Sequence, residues 1–469
     1  MRENFNAIII GGGPAGYVCA IRLAQLGKKV MLIEKKSTLG GTCLNVGCIP
    51  SKALLDATEF YTTAKNHSAD FGVHIANMSY DLQKIMERKK SIVDIQVRGI
   101  DFLMQKNKIS RVHGSGFLVS SNTVEVVFAD EDLSEQYTAE FIILATGSLP
   151  VELSVAPFDG KKIISSNDAI GLDRVPEHML VIGAGAIGLE LGSVWQRLGA
   201  KVSIVEVAPD LFGGIDKQIS ATVLRHLGAK GINFFMQHRV LETKISDSEV
   251  VVIAQNKKNE IQEFKGDVLL VAAGRKPNLE NLGLQNAGIE LQPNGKIKIN
   301  PETYQTTCEN VYAIGDIIDG PMLAHKAEEE GVVLAEKICS LKSRLNYNTI
   351  ASIVYTSPEI AWVGAGEDQL KSTGVEYATG RFLFRANARA HAMNETDGMV
   401  KIMADKSSNK ILGVFIVGAR ASELISEATL AMKNESTVDD IIHTVHAHPT
   451  LSEAIKEAAL DVQKRSIHS

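Results

Sequence analysis

The chain has 469 residues, 45% of them hydrophobic and 22% charged, with a formal net charge of −6. At roughly 100–200 residues per domain, this length accommodates about three domains with ordinary cores, and the mild acidity excludes the basic footprint of a nucleic-acid binder. No run approaches the ~18 apolar residues of a membrane span, and five cysteines in so long a chain exclude a secreted disulfide framework.

The first elements lie within residues 6–34, NAIIIGGGPAGYVCAIRLAQLGKKVMLIE. An apolar run, a G-x-G-x-x-G, a helical stretch and a second apolar run ending in Glu34 predict strand, turn, helix and strand. The opening apolar run is too short for a secretory signal and leads straight into the glycine loop. The expected location is therefore the cytoplasm.

Next comes GGTCLNVGCIPSKALL, residues 40–55. Cys43 and Cys48 are five positions apart, about 7.5 Å of rise in a regular helix, whereas bonded cysteines usually keep their Cα atoms within about 6.8 Å. A bond between them requires a broken helix or a turn, and Gly47 eases such a break. Strain makes a disulfide more reducible, which suits redox chemistry. Two other readings compete. A zinc site needs further Cys or His at ligand spacing, and the segment supplies none. Inert buried thiols are the usual fate of scattered cysteines, less so of a pair in a glycine-rich loop after a nucleotide-type unit.

Residues 178–206, HMLVIGAGAIGLELGSVWQRLGAKVSIVE, repeat the first unit, with the same 23-residue separation between first glycine and terminal glutamate (Gly11 to Glu34, Gly183 to Glu206). A lone glycine motif is weak; two copies in full context predict two dinucleotide sites. Gly11 and Gly183 allow the tight turn. Gly13 and Gly185 let backbone approach a pyrophosphate, and Gly16 and Gly188 let helix pack on strand. Helix N-termini favour the phosphates, and Glu34 and Glu206 can accept from a ribose hydroxyl. At the second site Glu206 would repel a ribose phosphate, and the following VAPD offers no arginine, which favours NAD over NADP.

Towards the C-terminus, GRFLF and MVKIMAD predict strands and ASELISEATLAMKN a helix, a mixture that suggests an antiparallel sheet with helices. The run HTVHAHP then brings His443, His446 and His448 together, as a metal cluster would. Glu453 follows His448 by five residues. A carboxylate behind an imidazole fixes its tautomer and stabilises its cation, and proton transfer near neutral pH suits histidine. The expectation is a His448–Glu453 pair, a structural His446 and no metal.

In this order, GGTCLNVGCIPSKALL, ILATGS (143–148), VAAGRKPN (271–278), VYAIGD (311–316), YTSPEIAWVG (355–364) and HAHPTLSE (446–453) resemble the flavoprotein disulfide reductases, in particular the branch that oxidises dihydrolipoyl groups with NAD. The resemblance covers nearly the whole chain. It implies an α/β fold of two Rossmann-like dinucleotide-binding domains and a C-terminal α+β dimerisation domain. The expected order is an FAD domain over 1–148, an NAD domain over 149–273, a second FAD segment over 274–345 and an interface domain over 346–469. It implies one tightly bound FAD, held by the Gly11–Gly16 loop, Glu34, Lys52, Gly116, Thr146, Gly147, Ser148, Asp316 and the loop Met322, Leu323, Ala324 and His325. NAD falls to Gly183, Gly185, Gly188, Glu206 and Gly274. Cys43 and Cys48 form the redox disulfide, Lys52 pairs with Glu190 beside the flavin, and His448, oriented by Glu453, acts on the other subunit of a homodimer. The implied partner is a lipoyl-bearing acyltransferase of a 2-oxo acid dehydrogenase complex or the glycine-cleavage carrier.

Relatives fit less well. Glutathione-type reductases usually take NADPH, against Glu206. Mercuric-type and large thioredoxin reductases carry a further C-terminal cysteine pair, but the last cysteine is Cys339. Flavin transhydrogenases typically lack the full pair. A nucleotide-binding scaffold or redox sensor shares the fold, which never proves activity, but has no need of Cys43, Cys48, Lys52, Glu190, His448 and Glu453 together. Lys217 and Gln218 stand where acidic residues are common in the family.

Overall fold

The computed structural model describes residues 4–130 and 133–468. The chain forms two compact units, one of Met1–Ala53, Lys84–Val151 and Arg275–Leu345, the other of Leu54–Gln83, Glu152–Gly274 and Asn346–Ser469. Among the described residues no helix is long and apolar enough to cross a membrane.

In the first unit, continuous apolar runs form strands buried on both faces, as in a helix-covered parallel sheet. Asn4–Ile10 pairs in parallel with Val30–Glu34 on one side and Ser134–Leu144 on the other. The start of Ser110–Leu118 extends the sheet beyond Val30–Glu34, and Val311–Ala313 extends it beyond Ser134–Leu144. The end of Ser110–Leu118 turns away to pair antiparallel with Thr123–Phe128, which leads back to Ser134–Leu144. Helix Pro14–Gln25 packs on helix Ala324–Ile338. Gly331 permits the approach, because a Cβ there would stand 2.7 Å from the Ala15 carbonyl oxygen.

The second unit repeats this plan. Five parallel strands lie in the order Ile232–Met236, Lys201–Glu206, His178–Ile182, Val268–Val271 and Ile163–Ile164. An antiparallel sheet of His238–Ile245, Val250–Asn256 and Ile261–Gly266 is inserted before Val268–Val271. The duplication seen in two short segments therefore extends through the insertion.

The same unit holds a five-stranded antiparallel sheet ordered Ser352–Val354, Glu359–Gly364, Ile411–Gly418, Met399–Asp405 and Tyr377–Leu383. Helices Ala421–Lys433 and Glu453–Val462 bury Ile425, Ala428, Ala454 and Ala458 with Val400, Ile402, Val414 and Ile416 of that sheet. Full burial of an Ile stabilises by roughly 1.5–3 kcal/mol, so Ile425→Ala would cost about 2–5 kcal/mol. Two Rossmann-like sheets and a C-terminal α+β assembly are the fold class read from the sequence.

Candidate functional site

The two glycine loops are built alike. Gly11 has φ +111° and Gly183 φ +107°, left-handed values that favour glycine. A Cβ on Gly16 would collide with the Gly11 carbonyl, and one on Gly188 with the Gly183 carbonyl, so each helix packs onto its own turn. Gly13 and Gly185 cap helices Pro14–Gln25 and Ala186–Arg197 with no side-chain hydrogen bond. The first-turn amides of both helices thus remain for an anion, and this backbone fits two pyrophosphate groups.

The strand-end carboxylates match as well. Glu34 accepts from the Gly12 N–H at 2.8 Å and the Lys36 N–H at 2.9 Å. Glu206 accepts from Ala184 and Ala208, both at 2.7 Å. Each carboxylate ties its glycine loop to its strand end, a duty the motif alone did not reveal. Gly116 is buried in its strand, and Gly274 adopts φ +112° just after Val268–Val271.

Cys43 and Cys48 lie on successive helices, Gly41–Val46 and Cys48–His67, broken at Gly47 (φ −135°, ψ −114°). A Cβ on Gly47 would be 2.8 Å from the Thr42 carbonyl oxygen and 3.2 Å from the Cys43 Cα. The missing side chain is what lets the second helix start against the first. The cysteines form a dithiol. A hydrogen bond with Cys48 is the main cause that drives the Cys43 thiol well above its ordinary range, and burial adds to it. Lys52, one turn after Cys48, opposes that shift.

Beside the pair is a polar chain that the sequence did not signal. Arg275 donates from Nε to the Ser148 hydroxyl and from a terminal nitrogen to the Ser148 carbonyl, both at 2.7 Å. The hydroxyl donates to Asp316 at 2.5 Å. Asp316 and Cys48 both act electrostatically on Arg275. Thr146 donates to the Asn278 carbonyl at 2.7 Å, and the Asn278 amide donates to the Gly147 carbonyl at 2.9 Å. Met322 and Leu323 lead into helix Ala324–Ile338, whose first residues are Ala324 and His325. Tyr17 donates to Glu328 at 3.4 Å, and Glu328 bears electrostatically on Cys43. Burial, with Glu328 beside it, pushes the Tyr17 phenol up.

These residues belong to the first unit; Glu190, His448 and Glu453 belong to the second. Glu190 is buried and accepts from the Tyr355 amide at 3.0 Å. His448 Nδ1 lies 2.9 Å from Glu453 Oε1, and the Thr450 amide donates to Oε2 at 2.8 Å. Burial pushes the Glu453 carboxyl up, but the Thr450 amide and His448 outweigh it and hold it below its usual value. The His448 side chain is 72% exposed. His446 is the opposite case. Its Nδ1 meets the Thr444 carbonyl at 3.0 Å and its Nε2 meets Glu427 at 2.8 Å, so both nitrogens are used in holding the loop. A cavity of about 300 Å³ near Trp362, Glu367 and Lys401 is lined by none of the glycine-loop residues.

The pyridine nucleotide-disulphide oxidoreductase model matches residues 5–331, and the dimerisation domain of the same family matches 350–459. The chain belongs to this family. It is 46% identical over 458 residues to a mitochondrial dihydrolipoyl dehydrogenase of Sus scrofa, covering 96% of this chain and 89% of the relative. It is 44% identical over 464 residues to the corresponding protein of Pisum sativum, with 99% and 92% covered. Among solved structures it is similar to LpdA of Mycobacterium tuberculosis (TM-score 0.89, 27% identity, 97% and 99% covered). It also shares its fold with the HOCl-induced flavoprotein disulfide reductase RclA of Escherichia coli (TM-score 0.86, 23% identity, 98% and 99% covered).

As a member of the pyridine nucleotide-disulphide oxidoreductases, the chain is a flavoprotein oxidoreductase with FAD and NAD as cofactors. Arg275 is the residue the sequence reading missed. It stood inside VAAGRKPN, but only its structural pairing with Ser148 brings it to Asp316.

Proposed function

We propose that the enzyme oxidises protein-bound dihydrolipoyl groups to lipoyl groups and reduces NAD to NADH through Cys43, Cys48 and FAD. The observation that carries this reading is the hydrogen-bonded cysteine pair across the Gly47 break, in a chain whose relatives named dihydrolipoyl dehydrogenase match it nearly end to end.

Only a thiolate attacks a disulfide. In the oxidised enzyme the partner subunit's His448, steadied by Glu453, takes a proton from one substrate thiol. The resulting thiolate attacks Cys43 Sγ; the Cys43–Cys48 bond breaks and Cys48 leaves as a thiolate. The second substrate thiol loses its proton and attacks the substrate sulfur of the mixed disulfide. The substrate leaves as a disulfide, Cys43 takes up a proton, and two electrons now reside on the cysteine pair. Lys52 and Arg275 supply positive charge around it. FAD, held by the first glycine loop, Glu34 and Asp316, would supply the two-electron carrier that links the cysteine pair to the nicotinamide.

The proposed FAD contacts are the first glycine loop, Glu34, Gly116, Thr146–Ser148, Asp316 and Met322–His325. The second loop, Glu206 and Gly274 would hold NAD, and Lys52 would pair with Glu190. We assign 1–148 and 274–345 to the FAD domain, 149–273 to the NAD domain and 346–469 to the interface domain. The working form is a homodimer that serves the acyltransferase of a 2-oxo acid dehydrogenase complex or the glycine-cleavage carrier. Its proposed compartment is the cytoplasm, unlike the mitochondrial relatives, and cell fractionation checks this. The central test is NADH formation from dihydrolipoamide, with NADP and oxidised glutathione as alternative substrates. NAD-selective turnover lost in Cys48→Ser supports the reading; a flavoprotein that reduces glutathione but ignores dihydrolipoamide contradicts it.

A further inference from the structure

Gly315, just before Asp316, is gripped through both of the peptide groups that flank it. Its N–H donates to Glu330 Oε2 at 2.8 Å, and its carbonyl accepts from Lys326 Nζ at 2.8 Å. Lys326 and Glu330 stand one turn apart on helix Ala324–Ile338, meet at 3.0 Å, and their side chains are 0% exposed. Three polar contacts thus close a ring through the two peptide groups that flank the Gly315 Cα.

Such a pair is not explained by stability. Removing two full charges from water is unfavourable, and buried pairs are commonly replaced by apolar side chains without loss of stability. A fixed peptide orientation accounts for it better. Gly315 adopts φ +81°, and a Cβ there would lie 3.2 Å from the Ala15 Cβ and 3.7 Å from the Ala327 Cβ. The turn is therefore wedged between the glycine-loop helix and helix Ala324–Ile338. Its next residue, Asp316, takes the Ser148 hydroxyl.

We propose that Lys326 and Glu330 are positioning residues for the flavin: they lock the Gly315–Asp316 turn in the form that FAD binds. This rests on the assignment of Asp316 to the flavin site. Neither residue touches the reacting atoms.

The test uses the full-length protein, stripped of flavin and reconstituted with FAD. Lys326→Met/Glu330→Leu removes both charges together, so neither remains buried alone. The expected apoprotein has the wild-type circular dichroism and melting temperature but binds FAD at least about tenfold more weakly, with altered flavin absorption and fluorescence. Lys326→Met/Glu330→Gln returns an acceptor to the Gly315 N–H and is expected to recover part of the affinity; it carries the comparison if the first variant does not fold. Wild-type affinity and flavin spectrum in either double variant would overturn the proposal. So would weakened binding that merely follows a lowered apoprotein melting temperature. Asp316→Ala separates the two ideas: undiminished FAD binding there would remove the site assignment itself, whereas loss there with wild-type binding in the double variants would remove only the clamp.

Discussion

Arg275 and Asp316 meet on one hydroxyl, that of Ser148, which receives the guanidinium at 2.7 Å and donates to the carboxylate at 2.5 Å. Because Arg275 can only donate, the single Ser148 proton is directed at Asp316. The cation also faces Cys48 electrostatically.

Replacing Arg275 by Met removes both effects. Alkylation of the reduced cysteines by iodoacetamide at pH 7 is expected to slow roughly tenfold, the equivalent of about 1.4 kcal/mol. Arg275→Lys keeps the charge and should retain most of the reactivity. Equal rates in Arg275→Met and wild type would remove Arg275 from the site.

His448 and Glu453 make a separable prediction. His448→Asn removes the base and should lower kcat with dihydrolipoamide by about 10²–10⁴-fold. Glu453→Gln leaves the base but loosens its orientation, and should cost less. Flavin content and NADH-driven flavin reduction should be unchanged in both. A loss confined to KM would contradict a role in proton transfer.

Gly188→Ala should disable one half of the cycle. The added Cβ runs into the Gly183 carbonyl and deforms the second loop. FAD content and flavin reduction by dihydrolipoamide should persist, while reduction by NADH becomes at least about tenfold slower. If NADH reacts normally, the second loop does not hold the nicotinamide cofactor.

Acid stability should depend on Lys401. Its ammonium pairs with Asp216 at 2.8 Å and Glu367 at 2.5 Å. The hydrogen bond from Lys401 is the main cause holding the Glu367 carboxyl down at about 2, against 4.5 ordinarily. A depressed folded-state value contributes stability above pH 4.5 that is lost as pH falls towards 2. The Glu367 side chain is partly exposed, so solvent screens the pair and the contribution is about 1–2 kcal/mol. Glu367→Gln should therefore lower stability at pH 7 by about that amount and flatten its decline between about pH 5 and 2. Lys401→Met strands two carboxylates, one of them deeply buried, and should cost about 3–5 kcal/mol at pH 7. Denaturant melts across this pH range decide both.

What the sequence disclosed follows from which constraints are local. The glycine loops could be read because tight turns and close helix packing admit almost nothing but glycine. The Cys43–Cys48 spacing could be read because a continuous helix cannot close it, and the break falls at Gly47 as anticipated. Contacts between distant segments could not. Lys401 and Asp216 are 185 positions apart, and Arg275 reaches Ser148 across 127. Lys217, conspicuous in the sequence as a departure from the family, forms an exposed pair with Asp368 at 3.0 Å. The carboxylates Glu34 and Glu206 were legible as strand ends, but not their grip on the loop amides, because backbone donors carry no sequence signature.

The most direct measurement of the central claim is anaerobic rapid mixing of the purified flavoprotein with dihydrolipoamide, followed by flavin absorbance, in the wild type, Cys43→Ser and Cys48→Ser. The expected result is rapid bleaching in the wild type, none in either variant, and reduction by NADH in all three. Bleaching by dihydrolipoamide in a variant lacking Cys43 or Cys48, or none in the wild type, would contradict electron flow through this cysteine pair.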